Sequence, residues 1–212
     1  MKRLNPITTL FLDIGGVLLT DGWDHLARHR AATTFKLDSK EMADRHHLTF
    51  ETYELGKLTL DEYLDLVVFY KRRPFTRARF RSFIFAQSKA CPDMLKLISE
   101  LKKQYGLKIF VVSNEARELN EYRIQTFKLF EIVDSFISSS FVHMRKPDLE
   151  MFRLALDIAQ AKADEVLFID DTAMFVKIAE SLEIRSIHHQ SYRSTCASLA
   201  SFGLQNNEGA KR

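Results

Sequence analysis

The 212-residue sequence predicts an α/β fold, a parallel sheet flanked by helices, with a helical segment inserted after the first strand. Three observations carry that prediction. Short, apolar, β-prone runs recur along the chain. Amphipathic stretches with helix start and stop signals fall between most of them. One long stretch, residues 20 to about 90, contains no convincing strand.

Residues 8–14 (TTLFLDI) read as a buried strand, because the run is short and apolar and Gly15-Gly16 follow at once. Similar runs stand at 108–113 (KIFVVS), 135–139 (SFISS) and 166–170 (VLFID), with a weaker fifth at 185–189 (RSIHH). PDMLKLISELKKQY begins at Pro92 and stops at Gly106, placing proline in the first turn and glycine past the end. PDLEMFRLALDIAQ is expected to begin at Pro147 in the same way. Strands alternating with helices indicate βαβ units and a parallel sheet, whose ligands sit at the carboxyl ends of the strands.

Between residues 20 and 89 the pattern reads as helices around 24–36, 39–47, 59–70 and 76–88. Thr59 and Glu62 make a T-x-x-E capping box for the third. The expected organisation is therefore a core of residues 1–19 and 90–212 and a helical insertion of residues 20–89. No internal repeat or low-complexity segment is visible, and the tail NNEGAKR is expected to fray.

A hydrophobic content of 46% is ordinary globular composition with enough apolar surface for a core. A formal net charge of +3 is weak for this length and does not point to nucleic acid. Cys91 and Cys196 lie far apart without metal-site spacing, which fits a reducing compartment. The basic, apolar start MKRLNPITTLFLDIGGVLL imitates a leader, but Asp13 breaks the run and no small-residue cleavage site follows. No stretch reaches the roughly 18 apolar residues that span a membrane. The expectation is a cytoplasmic protein, a monomer or homodimer, with neither membrane nor nucleic acid as partner.

Four short stretches fall at or just beyond the proposed strand ends: Asp13 in FLDIGGVL, Ser113 in VVSNE, Lys146 in MRKPD and Asp170-Asp171 in FIDDT. Alone, each has an ordinary reading as a turn, a cap or a helix start. Together they bring three carboxylates, a hydroxyl and an ammonium to one rim of the sheet. Clustered carboxylates suit Mg²⁺, which readily shares a phosphate. A lysine and a hydroxyl can hold phosphoryl oxygens while one carboxylate attacks phosphorus.

In order and placement these stretches resemble the four motifs of the haloacid dehalogenase superfamily, over nearly the whole chain. The resemblance implies that superfamily's Rossmann-like core with a helical cap, similar to its sugar-phosphatase-like members. It implies Asp13 as nucleophile and metal ligand, with the main-chain carbonyl of Gly15 as a second ligand. Ser113 and the backbone at Asn114 would hold the phosphoryl group, and Lys146 would neutralise its charge. Asp171, with Asp170, would complete the Mg²⁺ site. The implied activity is Mg²⁺-dependent hydrolysis of a small phosphorylated metabolite through an aspartyl-phosphate on Asp13.

The resemblance departs at two positions. Gly15 stands where such phosphatases usually carry an Asp as general acid and base, help worth about 10²–10⁴-fold. Phe175 stands where relatives often have Asp or Asn near the metal. Glu115, Asp21, Asp24 and His25 are candidate substitutes for the acid, each with an ordinary solvent or capping role as the alternative. The two departures favour a second reading, a catalytically weak relative that binds a phosphorylated ligand or a protein. A third reading is a carbon–halogen hydrolase, which leaves the Asp170-Asp171 pair without a purpose. Trp23 reads as packing between the two parts, with the substrate entrance as its alternative. The basic run at 71–81 reads as a solvated helix face with Phe75, Phe80 and Phe83 in the core, with a surface that attracts an anionic substrate or nucleic acid as its alternative. The pairs His46-His47 and His188-His189 point their side chains apart, so neither is expected to bind metal. Cys91, at the junction, is expected to be an idle thiol.

Overall fold

The structure, a computed structural model, describes residues 5–205. Its chain runs β1 (Thr9–Leu12), then α1 (His25–Phe35), α2 (Ser39–Glu54), α3 (Leu60–Val67), α4 (Arg77–Phe85) and α5 (Pro92–Tyr105). It continues as β2 (Lys108–Ser113), α6 (Arg117–Thr126), β3 (Ser135–Ser138), α7 (Ser139–Val142) and α8 (Leu149–Ala159). It closes with β4 (Val166–Asp170), α9 (Ala173–Glu180), β5 (Arg185–His188) and α10 (Tyr192–Ser201). The apolar run at Thr9–Leu12 is the central strand of the sheet. The tail NNEGAKR lies outside the described residues.

The five strands form one parallel sheet in the order β3-β2-β1-β4-β5. Side chains alternate across it. Leu10, Leu12, Ile109, Val111, Leu167 and Ile169 join the apolar cluster that contains Met94, Leu97 and Ile98 of α5. Phe11, Phe110, Val112 and Phe168 enter the opposite cluster with Met151 and Phe152 of α8. Helices cover both faces, so the strands read as continuous apolar runs.

Helices α1–α4 bury a third cluster of their own, centred on Tyr63, Leu64 and Phe80, which also takes in Ala116 and Leu119 around the start of α6. The chain enters and leaves this segment side by side. Leu19 and Ala90 form an antiparallel bridge, with Thr20 N donating to Lys89 O (2.9 Å) and Cys91 N to Leu18 O (3.0 Å).

Local signals explain most boundaries. Helix α5 has Pro92 in its first turn and ends on Gly106 in the left-handed region. Thr59 and Glu62 form the expected capping box at α3. Three of the boundaries that differ from expectation are instructive. Helix α8 begins at Leu149, not Pro147, because the Asp148 carboxylate accepts from Glu150 N (3.0 Å) and caps the helix after the proline. Helix α2 runs on to Glu54, held by Tyr53, which is buried and stacks on Tyr63 at 4.2 Å. The strand expected over 8–14 ends at Leu12, so Asp13 leads the loop beyond it.

Candidate active site

Register fixes where the chemistry gathers. Leu12 pairs with Val111 on one side and Ile169 on the other. The residues beyond these pairs, Asp13, Ser113 and Asp170, therefore stand at the same carboxyl rim of adjacent strands. Ser113 Oγ donates to Asp13 Oδ1 (2.5 Å), and Ile14 N donates to the same oxygen (2.8 Å). Lys146 Nζ reaches Asp13 Oδ2 (3.1 Å) and Asp170 Oδ2 (2.5 Å). The other oxygen of Asp170 accepts from Thr172 N (2.7 Å).

Lys146 is fully buried, held between its two carboxylates. Burial alone would drive its proton off, but Asp13 and Asp170 outweigh burial and raise it above the ordinary lysine range. The rings of Phe175 and Phe168 flank the ammonium at 5.0 and 5.5 Å. Phe175 thus packs on the lysine rather than offering the site an oxygen. Asn114 fixes the lysine from behind: its side-chain amide donates to Lys146 O and its carbonyl accepts from Lys146 N, both at 2.8 Å.

Asp13, Asp170 and Asp171 each bring a carboxylate oxygen within 4.8 Å of the others. Burial, with Asp13 adding repulsion, pushes Asp170 and Asp171 up to about 6. Such a cluster, with one ammonium against three carboxylates, is short of positive charge. Its donors are all hard oxygens, the set that suits Mg²⁺. Gly16, at φ +68°, lets the Asp13 loop pass against Asp171: a Cβ there would collide with the Asp171 carboxylate.

A cavity of about 320 Å³ opens between α1, α2 and the linker before them on one side and the loop after Ser113 with the start of α6 on the other. Trp23, Phe50 and Tyr53 give it an aromatic wall, and Asp21, Asn114 and Glu115 join it to the rim. Trp23 both lines this space and packs edge-on against Phe80, with its Nε1 donating to the Tyr63 hydroxyl (2.9 Å). Arg28 and Glu54 also face the cavity.

The alternative acids separate clearly. Glu115 is buried and paired with Arg123. Burial raises it to about 7 against the pull of that guanidinium. Asp24 caps α1 by accepting from Ala27 N (2.6 Å). His25 is exposed on the first turn of α1. Asp21 lies against the Asp13 loop: a Cβ on Gly15 would stand 3.2 Å from its Oδ1.

Sequence reasoning missed Arg123, the largest fully buried side chain. It donates to Ser88 Oγ (3.0 Å) and Thr20 O (2.9 Å) as well as pairing with Glu115, so it ties both linkers of the helical segment to the Ser113 loop. Gly22, at φ +76°, leaves room for the guanidinium, which any side chain there would meet. No local pattern marks Arg123, because its partners are distant and its own helix has little apolar periodicity.

The remaining sequence candidates have structural roles. Arg77 pairs with Asp65 and Arg81 with Asp61 (2.9 Å), so these cations of the basic run are neutralised on the helical surface. Phe80 is buried, and Phe75 and Phe83 pack against its cluster. His46 Nδ1 meets the Tyr63 hydroxyl (2.8 Å), and burial lowers His46 to about 3, so it is neutral. His188 and His189 bond Asp171 O and Thr195 Oγ1. Cys91 is half-buried, and burial pushes its thiol up.

The family model for haloacid dehalogenase-like hydrolases matches residues 7–181. The chain belongs to that family. The sesquiterpene phosphatase astK of Aspergillus oryzae is 27% identical over 192 residues, covering 88% of this chain and 92% of that protein. Bacillus cereus pyrophosphatase PpaX is 36% identical over 74 residues, about a third of each chain (35% and 34%). Among solved structures, the magnesium complex of HAD family enzyme bt-2542 from Bacteroides thetaiotaomicron superposes with a TM-score of 0.75 at 20% identity, over 87% of this chain and 94% of that one. A HAD-like hydrolase from Porphyromonas gingivalis gives 0.72 at 20% identity, over 92% and 98%. At these identities the structural matches establish the shared fold. This hydrolase, among its described residues, has no helix long and apolar enough to cross a membrane.

Proposed function

We propose that this hydrolase is a Mg²⁺-dependent phosphatase of a small phosphorylated metabolite. The carrying observation is Lys146, buried and charged between Asp13 and Asp170 at a rim that Asp171 also shares. A permanent buried cation beside an attacking carboxylate is what an incoming phosphoryl dianion requires. The phosphatase relatives support the reading, and their own substrates remain theirs.

Asp13 is the nucleophile. Ser113 and Ile14 N hold one of its oxygens and Lys146 the other, so the carboxylate is aimed before substrate arrives. Ser113 Oγ and the backbone at Asn114 bind phosphoryl oxygens, and Lys146 offsets the charge that builds on them. Asp170, with both oxygens engaged by Lys146 and Thr172 N, mainly orients the lysine at the edge of the metal site. Asp13, Asp171 and the Gly15 carbonyl would hold Mg²⁺. When bound, the ion supplies a Lewis acid that draws charge from the transferring phosphoryl group.

Residues 20–89 act as the cap, with residues 1–19 and 90–212 as the core. The separate apolar cluster of α1–α4 and the cavity beneath it support that division. The cavity's size suits a small organic group, its aromatic wall suits an apolar or ring-shaped one, and closing it excludes bulk water. The free thiols Cys91 and Cys196 are in keeping with a cytoplasmic setting.

The test is a panel of sugar, isoprenoid, nucleotide and acyl phosphates, assayed with and without Mg²⁺. Mg²⁺-dependent phosphate release is expected from at least one member. Asp13→Asn, nearly isosteric but unable to attack as an anion, is expected to reduce it by at least about 10³-fold with an unchanged circular dichroism spectrum. Silence of the wild type across the panel, or activity surviving in Asp13→Asn, overturns the assignment.

A further inference from the structure

Hydrolysis through an aspartyl-phosphate, the reading on which this inference rests, needs two proton transfers. The leaving oxygen must gain a proton as its bond to phosphorus breaks. The water that later attacks must lose one. Asp13 can do neither while it is bonded to phosphorus.

Most other acidic and basic groups near the rim are committed. Lys146 is shared between Asp13 and Asp170. Asp170 is bonded through both oxygens. Glu115 is buried against Arg123, and Asp24 caps α1. Asp21 is different. It is exposed, and no side-chain hydrogen bond or ion pair engages it among the described residues.

Its position is specific. Gly15 has no side chain, and the linker to α1 lies directly over it. A Cβ built there would be 3.2 Å from Asp21 Oδ1 and 3.5 Å from Asp21 Cα. The Asp21 carboxylate therefore fills the space above the loop, two residues from Asp13. It also lines, with Asn114 and Trp23, the cavity assigned above to the organic part of a phosphate ester.

We propose that Asp21, delivered by the linker into the space left open by Gly15, is the general acid and base of this hydrolase. In the first step an Asp13 oxygen bonds to phosphorus. The bond from phosphorus to the leaving oxygen breaks, its electron pair stays on that oxygen, and the Asp21 carboxyl gives it a proton. In the second step the Asp21 carboxylate takes a proton from water as the water oxygen bonds to phosphorus. The bond to Asp13 breaks, releasing inorganic phosphate, and both residues return to their starting states.

The test is a series of aryl and alkyl phosphates of rising leaving-group pKa, assayed with Mg²⁺ for wild type, Asp21→Asn, Asp21→Ala, Gly15→Asp and the double variant Gly15→Asp/Asp21→Ala. Asp21→Asn is expected to lose about 10²–10⁴-fold on alkyl phosphates and much less on nitrophenyl phosphates, so log rate falls more steeply with leaving-group pKa. Gly15→Asp alone brings a second carboxylate onto Asp21 and is expected to gain nothing. The double variant clears the 3.2 Å contact and is expected to recover alkyl phosphate hydrolysis at least about tenfold over Asp21→Ala. An equal loss on all substrates supports the base role if acid-quenched enzyme accumulates phosphoaspartate. Without that accumulation it marks a structural role and overturns the proposal. A folded Asp21→Asn protein with wild-type rates and slope overturns it as well, leaving the phosphatase assignment standing. A wild type that hydrolyses nothing removes both.

Discussion

Lys146 shows how much one side chain carries at the residue scale. Its ammonium is the only positive charge in contact with Asp13 and Asp170 among the described residues. Lys146→Met keeps the length and removes the charge, so two buried carboxylates lose their partner. The expected cost is about 3–5 kcal/mol of stability, read by urea unfolding, and Mg²⁺ should restore part of it. A loss under about 1 kcal/mol would falsify the picture of a cation-dependent rim. The carboxylates also set a pH dependence. Asp170 and Asp171 are raised to about 6, so the metal-free fold binds their protons more tightly than the unfolded chain does. Their contribution to stability is complete below the ordinary carboxylate range and is lost as pH rises through about 6. Mg²⁺ needs the ionised forms. Its stabilising shift in melting temperature is therefore expected to be larger at neutral pH than at mildly acidic pH, and a shift independent of pH would contradict this site. Asp13, Ser113 and the Asp170-Asp171 pair were legible in sequence because each ends or follows a strand-like run, whereas Lys146 lies in the loop beyond α7 and was marked by its RKPD stretch. That Lys146 would be buried between carboxylates, on the rings of Phe168 and Phe175, was not, since those neighbours come from separate strands and helices. Asp21 is one of several candidates in the sequence, and the linker's path over Gly15 is the observation that supports its proposed role.

At the scale of elements, the helical segment and the sheet differ in what stabilises them. The sheet rests on an aliphatic layer against one face and on mixed phenylalanine and aliphatic side chains against the other. The α1–α4 cluster depends on rings: Phe80 contacts Trp23, Phe35, Phe69, Phe75 and Phe83. Phe80→Ala is expected to cost about 3–5 kcal/mol. Hydrogen exchange should place most of the added opening in α1–α4, with β1, β2 and β4 keeping their protection. Uniform acceleration through the sheet would show instead that the two clusters unfold as one. The strands and α5 were readable because continuous apolar runs and proline–glycine punctuation are local signals. The start of α8 was misread because Pro147 resembles Pro92, whereas the side-chain cap of Asp148 decides the boundary. The end of α2 was missed because Tyr53 is held there by a ring from α3, a tertiary contact that the periodicity of α2 itself does not show.

At the scale of the molecule, the rim proposed to carry the chemistry belongs to the sheet, while most groups proposed to meet the organic part of the substrate come from the helical segment and its linker. Arg123 links the two, bonding the linker at Thr20, the linker at Ser88 and the loop residue Glu115. Any tilt of the segment must therefore strain contacts made within two residues of Ser113. The antiparallel bridge of Leu19 and Ala90 makes a narrow neck, so the chain leaves the sheet and re-enters it through one doorway. Residues added or removed between those two points shift no strand register and displace no rim carboxylate. Away from Thr20, Asp21 and Ser88, this stretch is thus where the gene is freest to change, because the carboxylates at the sheet rim stay in place whatever the helices beyond the doorway become.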